Sequence, residues 1–265
     1  MIRFIIRTMK NHLTLSRLIC LLSTTIFSIS FIEANAIPIK GESAFLKRTY
    51  FSNDLPSTVS AKVFYTDAEA ECIYEVAELA NTGLSIQAFK YGYYGYRELL
   101  KAKKINNSDY LTICDFSQSS SQRRLYIIDI ERHELVTQTF VAHGRNSGIE
   151  FAKNFSNNPR SHQSSLGFYI TGQTYSGGYG LSLQLNGIEK GFNDRALNRR
   201  IVLHGSKYVG DEYLQRRRLL GRSYGCPAVP KDESGVIINF IKNGSCLFIF
   251  YPAKNYLDKS KILNS

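Results

Sequence analysis

The chain has 265 residues, 43% hydrophobic and 21% charged, which suits one large or two small globular domains and excludes disordered, repeat-fibrous and small disulfide-scaffold classes. With 33 basic and 22 acidic residues the net charge is +11, favouring an anionic partner without choosing among nucleic acid, lipid and acidic polymer. The first 36 residues bear on that choice: Arg3, Arg7, Lys10 and Arg17 precede an apolar run from Leu18 to Ile32, and Ala34-Asn35-Ala36 supplies small residues for cleavage. The run is about 15 residues, short of the ~20 that span a bilayer, so a cleaved signal is expected over 1–36 rather than an anchor. Ile19 before Cys20 lacks the small side chain that a lipidated cysteine requires. Removing four basic residues and one acidic residue with the signal leaves +8 of the +11 on an exported chain, and export sets nucleic acid aside.

Residues 37–65 show no period and read as an irregular arm. Thr66 and Glu69 form a capping box before a helix with Cys72, Ile73, Val76, Ala77 and Ala80 on one face, ending near Gly83. A second helix starts at Ser85, with Ile86, Phe89, Tyr93, Tyr96 and Leu100 at three- and four-residue steps, a core face rather than a sugar-stacking stripe. The absence of tryptophan also weakens a lectin-like reading. Arm and helices make an N-terminal cap over 37–108. Strand character follows at Tyr110–Phe116, Leu125–Ile130, Leu135–His143, Leu166–Thr171, Leu181–Leu185, Ile201–His204 and Cys246–Tyr251, with one helix from about Asp232 to Lys242. A mostly β domain is therefore expected over 109–255, and a polar tail over 256–265.

Four cysteines remain after the signal, with no disulfide framework in their spacing. Cys72 sits in a helical pattern, and Cys114 and Cys246 lie in apolar strands where a thiol packs as a small hydrophobe. Cys226 differs, standing in the polar, glycine-rich Gly221-Arg222-Ser223-Tyr224-Gly225-Cys226-Pro227-Ala228. A cysteine attacks as thiolate and needs a nearby base or cation, for which His204, at the end of a strand, is the best candidate. Gly225 permits a tight turn that leaves consecutive N–H groups to hold an oxyanion.

The Leu203-His204-Gly205 and Gly221-to-Cys226 segments, with the Pro-Ala after them, resemble the L,D-transpeptidase catalytic domain, the YkuD-like fold, and its murein branch. Supporting blocks are Asp115-Phe116-Ser117, Val141-to-Gly148, Phe155-Ser156-Asn157 and Ser164-to-Tyr169, within about residues 70 to 252. The resemblance implies a mainly β sandwich or barrel with an N-terminal helical cap and small helices. It also implies cysteine acyl transfer on peptidoglycan stem peptides: Cys226 attacks the carbonyl before a terminal D-alanine, His204 moves the proton, and the Gly205 carbonyl orients the imidazole. N–H groups of Tyr224, Gly225 and Cys226 would form the oxyanion hole, with Ser223, Arg222 and His143 toward the substrate. In the usual signature a histidine stands where this chain has Tyr224, and arginine or asparagine where it has Pro227. No cofactor or metal is implied, and the chain is expected to be a monomer meeting the membrane only through its signal. Alternatives are a carboxypeptidase or endopeptidase using water, and a silent wall-binding protein.

Several residues also have plainer readings. His143 could be a strand-end histidine satisfied by backbone, His162 an exposed loop residue, His133 a turn residue, and Arg216-Arg217-Arg218 a solvated loop. Zinc bound by His143, His162, His204 and Cys226 has suitable donors but no paired spacing.

Overall fold

The computed structural model describes residues 61–178 and 180–265, with side chains from Asp67 onward. The signal expected over 1–36 and most of the irregular arm lie outside them. The chain divides into Met1–Ala68 and Glu69–Ser265, and the account below concerns the second unit.

Helix α1 is Ala61–Val76. It begins before Thr66, so the expected capping box is not its start. It buries Ala70 and Ile73 and then breaks at Glu78, whose left-handed φ of 52° leads into a short 3-10 turn, Leu79–Thr82, closed by Gly83. The break explains why Ala80 is exposed although it follows the helical spacing. Helix α2, Ile86–Lys101, starts where the sequence places it: Ser85 Oγ accepts the Ala88 N–H at 3.1 Å, a cap contributing about 1 kcal/mol. Its buried face is Phe89, Tyr93, Tyr96 and Leu99, leaving Ile86 and Leu100 exposed. Gly92 and Gly95 let this face press onto the sheet, since a Cβ at Gly95 would stand 1.9 Å from Phe168 Cζ.

Eight strands follow: β1 Tyr110–Asp115, β2 Arg123–Asp129, β3 Glu134–Phe140, β4 Gly167–Gly177, β5 Gly180–Gly187, β6 Val202–Ser206, β7 Ala228–Pro230 and β8 Cys246–Phe250. They form one sheet in the order β3-β2-β1-β8-β4-β5-β6-β7, with β1/β8 and β6/β7 parallel and the other neighbours antiparallel. Beyond β3, Ala142 pairs with Ala228 of β7 through N–H···O bonds of 2.8 and 3.3 Å, and Gly144 bridges to Ser223. The two sheet edges are thereby brought together, making a nearly closed, barrel-like sheet. Helices α3 (Asp211–Arg217), α4 (Ser234–Ile241) and α5 (Lys254–Lys259) complete this mainly β fold.

One hydrophobic cluster takes in residues of α1, α2, the sheet and α4, and a smaller one joins Phe140, Ala142, Val209, Leu220 and Ala228. The tail expected to be merely polar also joins the core. Tyr256 and Ser260 are buried and donate their hydroxyls to the carboxylate of Glu189, which also accepts the Phe168 N–H at 2.7 Å. Cys114 and Cys246 are buried free thiols within the sheet, as their apolar surroundings predict. Among the described residues no helix is long and apolar enough to cross a membrane.

Candidate active site

Parallel strands β6 and β7 set His204 opposite Ala228. Cys226, two residues before Ala228, therefore stands level with Val202, whose N–H points at Cys226 Sγ at 3.5 Å. Val202 and His204, two apart on one strand, share a face of the sheet. The thiol in turn points to the Arg200 carbonyl at 3.7 Å.

The turn before Cys226 is closed by Ser223. Its hydroxyl accepts the Gly225 N–H at 3.0 Å and donates to the Cys226 carbonyl at 2.6 Å. Gly225 has φ +125°, and a Cβ there would meet Gln163 O at 2.8 Å and Arg199 Nη2 at 3.1 Å. Backbone shape and space both require glycine, as its place before the cysteine suggests. Ser223 is buried, with its hydroxyl engaged in the turn. The Gly225 N–H is thereby engaged.

His204 is buried, with Nδ1 3.0 Å from the Gly205 carbonyl. A carbonyl only accepts, so Nδ1 carries the proton and Nε2 is the basic nitrogen. Burial lowers the imidazole pKa and the Gly205 carbonyl partly restores it. The Cys226 thiol is pushed up by burial, against the Val202 N–H and the positive charge of Arg199. Both shifts favour the uncharged form of each group.

Two arginines that the sequence did not single out hold this site. Arg199 donates through Nη1 to Ser156 O at 2.7 Å and to Ser165 Oγ, and through Nη2 to Gln163 O at 2.6 Å. It sits within the triplet Asn198-Arg199-Arg200, where nothing distinguishes it from its exposed neighbour. Arg124 is fully buried. It donates to the Val141 carbonyl at 3.0 and 3.2 Å, to Gln118 O at 2.7 Å and to His143 Nδ1 at 2.8 Å, with its guanidinium 4.7 Å from the Phe116 ring centre.

His143 is fully buried, with one ring nitrogen on the Arg124 side chain and the other on the Gly148 backbone. Because Arg124 can only donate, His143 Nδ1 accepts and its Nε2–H donates to Gly148 O at 3.2 Å. Burial first, and then the charge of Arg124, lowers its pKa to about 4. Between pH 6.5 and about 4 the unfolded chain therefore binds a proton that the native chain refuses. Stability contributed by His143 is complete above pH 6.5 and falls with pH through that window, by about 3 kcal/mol in total. Urea unfolding at pH 7 and pH 4.5 should show this loss, and His143→Asn, though weaker at pH 7, should lose less between the two.

Tyr224, where the resembling family has histidine, is 59% exposed. Its ring lies edge-on to His162 at 4.7 Å and under the Arg145 guanidinium at 5.5 Å. Arg222 is exposed beside it and donates to the carbonyls of Arg145 and Gly148 at 3.3 and 3.1 Å. Arg222, Tyr224 and Arg145 thus form a cationic and aromatic rim next to the Cys226 turn.

A family model described as L,D-transpeptidase catalytic domain matches residues 80–250, well over half of the chain. No curated protein matches it. Among solved structures, an L,D-transpeptidase from Mycobacterium smegmatis shares 8% identity and a TM-score of 0.33, covering 54% of this chain and 59% of its own. An L,D-transpeptidase from Xylanimonas cellulosilytica shares 13% identity with a TM-score of 0.32, covering 58% of this chain and 68% of that one. A fused Zn-dependent amidase/peptidase/peptidoglycan-binding domain protein from Clostridium acetobutylicum shares 14%, with a TM-score of 0.33 and coverages of 58% and 61%. The chain spans 59% of the length of the first of these.

Proposed function

The chain belongs to the L,D-transpeptidase catalytic domain family, and from that premise we propose that it is an exported cysteine acyltransferase acting on peptidoglycan stem peptides. The observation that carries this reading is the β6/β7 register, which sets Cys226 level with Val202 and one step from His204. Export rests on the signal-like residues 1–36.

In the proposed reaction, the stem-peptide carbonyl before the terminal D-alanine approaches Cys226. The sulfur forms a bond to that carbon while His204 Nε2 accepts the thiol proton. Since both groups rest uncharged, proton transfer accompanies attack. N–H groups of Tyr224 and Cys226 hold the oxyanion, Gly225 being engaged by Ser223. The C–N bond then breaks, the proton passes to the leaving amine, and D-alanine departs from a thioester. An amine of a second stem attacks the thioester, its proton is taken by His204, and the thiol is regenerated.

The test is mass analysis of disaccharide-tetrapeptide after incubation with the purified protein. Loss of D-alanine with formation of a crosslinked dimer supports transfer. Loss of D-alanine giving only tripeptide identifies water as acceptor and a hydrolase. No product and no covalent carbapenem adduct overturn the enzymatic reading in favour of a silent wall-binding protein.

A further inference from the structure

A cavity lined by residues 153–158, Gln163 and Tyr256 among others has a volume of about 530 Å³, inside the ~300–1,000 Å³ range of small-ligand pockets. Two half-buried phenyl rings, Phe155 and Phe192, line it together with the amides of Asn154, Asn158 and Asn255. Each ring is held by a second aromatic, Phe155 by Tyr251 and Phe192 by Tyr256, both at 5.0 Å between centres. Lys153 is the one charged residue among the described lining, since the carboxylate of Glu189 lies behind Tyr256 and accepts its hydroxyl.

Rigid aromatic faces beside primary amides suit a ligand with an apolar ring face and a rim of neutral donors and acceptors. A pyranose carrying hydroxyl and acetamido groups has that form. An anionic peptide would find one exposed lysine, and a cationic group no carboxylate.

The cavity is fastened to the catalytic turn. Ser156 and Gln163 line it, and their carbonyls are both bonded by Arg199. The Gln163 carbonyl and the Arg199 guanidinium are the groups a Cβ at Gly225 would strike. We propose that this cavity is a glycan subsite, binding an N-acetylated aminosugar of the strand whose stem peptide reacts at Cys226. The proposal rests on the peptidoglycan reading and adds a second anchor to it. Binding energy from the sugar, which does not react, is then available to position the peptide.

The probe is N,N′-diacetylchitobiose, titrated calorimetrically into the full chain, with no turnover required. Saturable binding is expected, weakened about tenfold by Phe192→Ala, the loss of one stacking contact. Asn158→Ala, at an exposed position, should weaken it several-fold without risk to the core. In parallel, the ratio of kcat/KM for disaccharide-tetrapeptide to that for glycan-free tetrapeptide should fall about tenfold in Phe192→Ala. No saturable chitobiose binding, or binding equal in both variants and wild type, overturns the subsite. Absence of turnover on either peptide overturns the acyltransferase reading instead, and chitobiose binding still decides the subsite.

Discussion

Cys226→Ser is expected to lower turnover of disaccharide-tetrapeptide by at least about 10³-fold and to abolish the carbapenem adduct, while stability changes by less than about 1 kcal/mol. The sulfur meets the Val202 N–H and the Arg200 carbonyl, with its own backbone N–H beside it. A serine hydroxyl serves both, so the fold is spared. Chemistry is not, because the hydroxyl is far less acidic than the thiol and the available base is a buried, neutral imidazole. The resting protonation state has its own signature. Burial raises the Cys226 thiol, so its alkylation by iodoacetamide should climb with pH and reach its midpoint above the usual ~8.5. Burial lowers His204, so the acid limb of turnover should fall below the usual ~6.5. Alkylation that is already at its plateau at pH 6 would mean a preformed thiolate–imidazolium pair and would sink the general-base mechanism.

Arg124→Met is expected to cost about 3–5 kcal/mol, read as a fall in the urea midpoint at pH 7. Methionine nearly fills the volume but offers no donors. The carbonyls of Val141 and Gln118 and the Nδ1 of His143 would lose their buried partner, and the Phe116 ring its cation. Burial lowers Arg124 itself to about 10, which still leaves it charged at neutral pH. A second effect separates this from a simple packing loss. Without the guanidinium, His143 should titrate closer to 6.5, which NMR of the imidazole in the folded fraction measures. Release of the Gly144–Gly148 segment should then reach Ser223, whose N–H and carbonyl pair with His143 and Arg145. Arg124→Lys keeps the charge but not the fork, and should recover only part of either loss.

The contrast between Cys226 and these arginines shows what the chain discloses before folding. Cys226 stands out because a glycine and polar neighbours surround it, while Cys114 and Cys246 sit in apolar strands, and local context separates the three. Helix α2 is legible through the Ser85 cap and its aromatic spacing, although Gly92 and Gly95 take their meaning only from Ile113 and Phe168 across the sheet. Arg124 and Arg199 are opaque because charge predicts exposure, and only tertiary structure supplies the carbonyls that let a guanidinium be buried. The burial of His143 is opaque for the same reason. Strand β7 is three residues ending in proline, too short to show a period, yet its pairing with β6 sets Cys226 level with Val202. Tyr256 and Ser260 look like tail residues until Glu189, about 70 positions earlier, is seen to collect their hydroxyls.

The pairing of Ala142 with Ala228 joins the two edges of the sheet only two residues from Cys226. It links segments far apart in the chain, a contact that closes a long loop. Ala228 pairs on one side with His204 of β6 and on the other with Ala142, so closure of the barrel and the seating of the Cys226 turn share one residue.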